Sequence, residues 1–106
     1  MPSVPISACV RQGDRDLLIP CCRFTGGPTT RSVIEELITL YAPTYGVMAG
    51  RRELILFAPN HGDAERIKKG DWVVIDGPIP HVYPPEEFAL KYLPMHHSVG
   101  VTTIIH

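Results

Sequence analysis

The sequence predicts an α+β fold: a small, mostly antiparallel sheet of about five strands, curved or barrel-like, with one main helix and a short helix near the C-terminus. Three observations predict it. Val33, Ile34, Leu37, Ile38 and Tyr41 recur at three- and four-residue spacing, the signature of one amphipathic helix. Short apolar runs such as LLIPCCRF, RELILFAP and WVVI have strand length and stop at glycine, proline or aspartate. The 11 prolines fall mostly between these apolar segments, where they stiffen the connections.

A chain of 106 residues holds one core and is too short for two, so residues 1–106 are expected to form a single domain. Within it, residues 1–8 are a candidate flexible arm and 95–106 a C-terminal extension. Pro2 and Pro5, separated by small residues, make the first dozen residues a frayed arm or an edge strand. Leu17 to Phe24 reads as a strand. Pro20 lacks the amide a ladder needs, which places it at an edge or a bulge.

The Gly26-Gly27-Pro28 turn delivers the chain to the main helix. Thr29 or Thr30 can cap the free amides, and Ser32 with Glu35 also matches a capping box. Arg31 and Glu35 fall one turn apart on the exposed side. Pro43 clashes with continued helix, so the helix should end near Tyr41 or Ala42.

Arg52 to Pro59 reads as a strand, with Tyr45 to Ala49 as its hairpin partner across Gly50-Arg51. Asn60 to Asp71 reads as a polar connection. Trp72-Val73-Val74-Ile75 is the most secure strand, closed by the turn dipeptide Asp76-Gly77. His81-Val82-Tyr83 is a short strand between proline corners. Pro84 or Pro85 then starts a helical turn whose positive end Glu86 and Glu87 favour. Val99 to Ile105 is β-branched and reads as a last strand, paired within the chain or with a second copy in a homodimer.

Composition excludes several classes. With 44% apolar and 20% charged residues the chain is outside the range of disordered proteins. A net charge of -1 supplies no positive field, so nucleic acid is disfavoured as a partner. No apolar run reaches membrane-spanning length, and the N-terminus shows neither a basic region nor an apolar leader, so no membrane partner and a cytoplasmic location are expected. Three cysteines, an odd number with two adjacent, read as reduced thiols.

The residues that could carry chemistry do not assemble into a motif. Cys9, Cys21, Cys22, His61, His81, His96 and His97 are numerous enough for zinc, yet none shows structural-site spacing and no His-Glu-x-x-His helix is present. No metal and no cofactor are therefore expected. On a strand, Cys21 and Cys22 point to opposite faces, which rules against a redox pair. A nucleophilic thiolate would need a cation or a helix start nearby, for which Arg23 and the region near Thr30 are the sources. Ser98 and His97 lack a nucleophile elbow. The Gly26-Gly27 pair before a helix is the pattern of an anion-binding helix start, but the P-loop lysine is missing, so a plain turn and cap is expected. Arg51-Arg52 and Lys68-Lys69 read as solvated surface, because Asp63, Glu65 and Asp71 lie beside the lysines.

Gly70 to Leu93, GDWVVIDGPIPHVYPPEEFALKYL, resembles the C-terminal half of a family of small uncharacterised bacteriophage and prophage proteins. In that family a strand opened by Gly-Asp-Trp is followed by a turn, a short strand ending in Tyr-Pro, and a helical turn bearing Phe and Tyr. Here these are Gly70, Asp71 and Trp72, then Tyr83-Pro84, then Phe88 and Tyr92. RFTGG at Arg23 to Gly27, followed by a helix, is similar to the family's first strand and helix. The chain departs from the family in lacking a basic stretch before the first strand and in having Pro85 where a cysteine is common. The resemblance implies a phage origin and this fold, and no activity.

Trp72, Tyr83, Phe88 and Tyr92 are expected in the core, each buried ring contributing about 2 to 3 kcal/mol. Pro78, Ile79, Pro80 and His81, and the doublet His96-His97, have no evident core duty, and a proline-stiffened corner loses little entropy on docking. They are the candidate partner-binding residues. The expected function is that of a non-enzymatic phage accessory protein that binds a host protein, for example to inhibit a defence or replication component. The alternatives are a small enzyme or nucleotide-binding protein using the helix start after Gly26-Gly27, and a nucleic-acid binder.

Overall fold

The computed structural model describes residues 6–58 and 64–98. In chain order the elements are β1 (Ser7–Arg11), β2 (Asp14–Arg23), α1 (Pro28–Tyr41), β3 (Gly46–Ala49), β4 (Leu54–Phe57), β5 (Ala64–Ile67), β6 (Trp72–Ile75), β7 (Pro80–Tyr83), α2 (Pro85–Lys91) and β8 (Tyr92–Ser98). The fold is α+β, as the sequence predicts. The strands form two open sheets rather than a closed barrel: a five-stranded sheet in the order β7-β6-β2-β1-β8 and a three-stranded sheet β3-β4-β5. All strand pairs are antiparallel. No described helix is long and apolar enough to cross a membrane.

α1 follows from its apolar stripe. Val33, Ile34, Leu37 and Ile38 are buried, and the helix ends at Tyr41 just before Pro43. Its start lies two or three residues earlier than a threonine cap predicts. Pro28 occupies the first turn, where its missing amide and fixed φ fit, and Gly27 is the cap residue without a side-chain cap bond. Ser32 and Glu35 therefore sit inside the helix and form no capping box. Arg31 and Glu35 make the expected pair at 3.3 Å.

The N-terminal segment is a correction to the arm or edge strand. β1 lies inside the five-stranded sheet between β2 and β8, and its Ala8, Cys9 and Val10 are fully buried. Pro2 and Pro5 fall outside the described residues. Pro20 sits opposite Ala8, one residue before the ladder to β6 begins at Cys21, and the register between β1 and β2 shifts beyond Cys9. The register shift thus falls between Asp14 and Ile19 rather than at Pro20, and β2 is not an edge strand; Pro20 is accommodated because the ladder to β6 starts only at Cys21.

Two further strands depart from expectation. β5 lies in the stretch read as a polar connection; only Ile67 of its four residues is buried, so it carries almost no apolar pattern. It exists because its backbone pairs with β4, Leu54 opposite Ile67 and Phe57 opposite Ala64. β8 begins at Tyr92 directly after α2 and pairs with β1, so residues 95–98 are part of the sheet rather than an extension. The expected strand Val99–Ile105 lies outside the described residues.

The turn before β6 explains its Gly-Asp-Trp opening. Gly70 takes a φ of 98°, a conformation that favours glycine. The buried Asp71 carboxylate accepts the Lys68 amide at 2.9 Å, closing the reversal between β5 and β6. Phe24 donates its amide to the Asp71 carbonyl, extending the ladder between β2 and β6.

Side chains on the two faces of the larger sheet form separate cores. On one face Cys22, Val73 and Ile75 pack with α1 and with Leu54, Leu56 and Ile67 of the smaller sheet. On the other, Cys9, Cys21 and Val74 pack with Phe88 and Tyr92, flanked by Trp72 and Tyr83. Cys21 and Cys22 thus lie on opposite faces, as strand geometry requires.

Candidate functional site

Ile75 pairs with Pro80 across the β6–β7 hairpin, leaving Asp76, Gly77, Pro78 and Ile79 as the connecting corner. Gly77 supplies a φ of 98°, and prolines fix the chain on either side of Ile79. Pro78 is exposed, and Ile79 is 51% exposed although it is fully apolar. Pro80 turns inward and is buried.

A salt-bridged carboxylate anchors this corner. Arg11 donates from Nε to Asp76 Oδ2 at 3.0 Å and from its second guanidinium nitrogen to Oδ1, while the Tyr92 hydroxyl donates to Oδ2 at 2.8 Å. β1, β8 and the corner are thereby tied together. The hydrogen bond from Arg11 is the largest cause holding the Asp76 carboxyl below its ordinary pKa, with Tyr92 helping and burial opposing. Burial, then the contact with Asp76, pushes the Tyr92 phenol well up, so it stays a donor.

Ile79 and Pro80 form one wall of an open groove of about 550 Å³. The other walls come from the smaller sheet: Leu56, Phe57 and Ala58 from β4 and its end, Ala64 and Glu65 from β5, with Tyr45 preceding β3. Phe57 is placed by Gly46, its partner in the β3–β4 ladder: a Cβ at Gly46 would stand 2.5 Å from the Phe57 ring. Glu65 is the acidic group of the lining. Burial raises its carboxyl pKa, and the field of His81 opposes that rise.

The predicted partner-binding residues do not form one surface. His81 is half-buried on β7 and stacks near Tyr83, with ring centroids 5.9 Å apart. His96 and His97 belong to β8, at the opposite edge of the sheet. The row His81, Val74, Cys21, Ser7, Ser98 crosses all five strands, so the two groups are separated by four strand spacings, about 19 Å. Ile79 and Pro80 share their groove instead with Tyr45, Phe57 and Glu65. Sequence reasoning missed these three, since Phe57 and Tyr45 read as hairpin residues and Glu65 as part of a polar connection.

The expected aromatic cluster forms on the far face. Trp72 and Phe88 lie parallel, centroids 3.9 Å apart at 4°, and Tyr92 packs against Phe88 and Tyr83. Phe88 and Tyr92 are buried, whereas Trp72 is only partly so. α2 therefore folds its Phe88 ring back over the strand bearing Trp72, and Tyr92 at the start of β8 packs beside it.

The alternative chemistries find little support in the geometry. The three cysteines are free and buried. A hydrogen bond with Cys9, and then burial, pushes the Cys21 thiol far up, and burial pushes Cys22 up to about 11, so both are held as unreactive thiols. No group of three metal-ligating side chains occurs among the described residues. At the start of α1, the Thr30 hydroxyl oxygen accepts the Thr25 amide at 3.1 Å and faces the Gly27 carbonyl at 3.4 Å, so that threonine closes the turn. Comparison with known protein families, curated proteins and solved structures finds no match.

Proposed function

We propose that this chain is a non-enzymatic bacteriophage accessory protein that binds a host protein through the β6–β7 corner, in the cytoplasm of the infected cell. The observation that carries the reading is Ile79: an isoleucine held half in solvent, between two prolines, at the rim of a mainly apolar groove. A rigid apolar side chain beside an apolar recess has the form of a binding hot spot, because docking it costs little conformational entropy and removes apolar area from water. The Asp76 anchor adds to that rigidity. The phage origin rests on the ordered Gly-Asp-Trp, Tyr-Pro, Phe and Tyr motif alone.

Affinity capture from bacterial lysate with three baits tests the proposal. The wild type and Leu90→Asp, altered at a 79% exposed position on α2, should retain the same host protein, and Ile79→Asp should lose it. Capture of no host protein, or capture indifferent to Ile79→Asp, would contradict the reading.

A further inference from the structure

β2 outruns the strand beside it. Its ladder to β6 covers only Cys21 to Arg23, so on that side Asp14 to Pro20 has no strand partner among the described residues. β6 ends at Ile75, and the corner after it leaves the line of the strand. The Asp76 carboxylate is held by Arg11 of β1 and by Tyr92 of β8, strands that lie beyond β2, so the corner leans across a face of β2 instead of following its edge. No backbone hydrogen bond joins the corner to β2 among the described residues.

The space left is a recess of about 410 Å³ between β2, the segment from Ile75 to Gly77, and Tyr41 at the end of α1. β2 lines it with four consecutive residues, Leu17 to Pro20. Alternate side chains of a strand point to opposite faces, so four in a row line one recess only where it runs along the strand's edge. That edge is apolar at its centre: Leu17 is 54% and Leu18 39% exposed, with Tyr41 exposed beside them. Arg15 is exposed and enters no ion pair among the described residues.

We infer that this edge pairs with the same edge of a second copy of the chain, antiparallel about a two-fold axis at Leu17. Such an axis, normal to the sheet, sets the residue on it against itself and the residues on either side against each other. At Arg15 it would oppose Arg15 to itself and Asp14 to Asp16, and at Asp16 it would oppose two carboxylates. At Leu18 it would set Arg15 against Cys21, which is already paired with Val74. At Leu17 no like charges meet, and Arg15 of each copy comes opposite Ile19 of the other, beside the Asp76 carboxylate that lines the recess. A second copy thus brings leucines to the apolar centre and a cation to Asp76, and one contact covers both free edges.

Sedimentation equilibrium of the whole chain over a concentration series tests this, and a reversible monomer–dimer equilibrium is expected. Leu17→Asp should weaken the dimer more than ~10-fold and Arg15→Glu ~5-fold. Both side chains are exposed, so each variant should keep the wild-type circular dichroism. Leu17→Cys should form a covalent dimer under mild oxidation by dissolved oxygen, two thiols giving one disulfide and passing two hydrogens to the oxidant. Asp16→Cys and the wild type, whose cysteines are buried, should not. A wild type that stays monomeric at its highest soluble concentration, a dimer indifferent to Leu17→Asp, or cross-linking through Asp16→Cys in place of Leu17→Cys would overturn the inference.

Discussion

One face of the five-stranded sheet meets α1 and the smaller sheet through mainly aliphatic side chains, whereas the opposite face meets the seven-residue α2 through Trp72, Tyr83, Phe88 and Tyr92. The aliphatic side is the larger core, and its contribution scales with area and close packing. The aromatic side covers less but is directional. Its Tyr92 reaches through to Asp76, and Asp76 holds the corner that carries Ile79. The first face sustains the fold, and the second sets the geometry of the β6–β7 corner.

Leu37→Ala should give the largest effect. Leu37 is fully buried at the centre of the aliphatic face, and its truncation should cost about 3 to 4 kcal/mol in chemical denaturation. A loss below about 1 kcal/mol would mean that α1 adds little to the core.

Trp72→Ala should come next, costing about 3 kcal/mol, the low end for ring removal because Trp72 is only partly buried. It should also broaden the amide resonances of the α2 residues stacked on it while leaving those of α1 in place. Equal disturbance of both helices would show that the two faces are not separate cores.

Asp76→Asn should have the smallest effect and a defined pH dependence. The folded carboxyl pKa is held below its unfolded value of about 3.9, so the group adds stability above that pH and loses it as pH falls through the folded value. The variant should be less stable than wild type by about 1 kcal/mol at pH 7, and the gap should narrow below about pH 4. A gap that is constant down to pH 3 would remove the ionised Asp76 from the account.

The elements most readable from sequence were those whose chemistry is local. α1 declares itself by spacing and Pro43, and β6 by three β-branched residues between an Asp71 turn and Asp76-Gly77. β5 was hidden because a strand with one buried side chain is stabilised by its ladder to β4, which no local pattern reports. β1 looked like an edge because Pro2 and Pro5 dominate the reading, yet its place is decided by β8 returning from a distant part of the chain. The site was legible in half. Proline stiffness and an apolar tip marked Pro78–His81, but uniting them with Tyr45, Phe57 and Glu65 requires the packing of one sheet edge against another. The same long-range order separates them from His96-His97.

Amide hydrogen exchange on the complex with the captured host protein tests the central claim most directly, since it reads which backbone is covered. The account predicts slowed exchange at Glu65, Ile79 and His81, with Phe88 to Lys91 on α2 and Thr29 to Ser32 at the start of α1 unchanged. Protection confined to α2, or to the start of α1, with the corner exchanging as in the free protein, would contradict it.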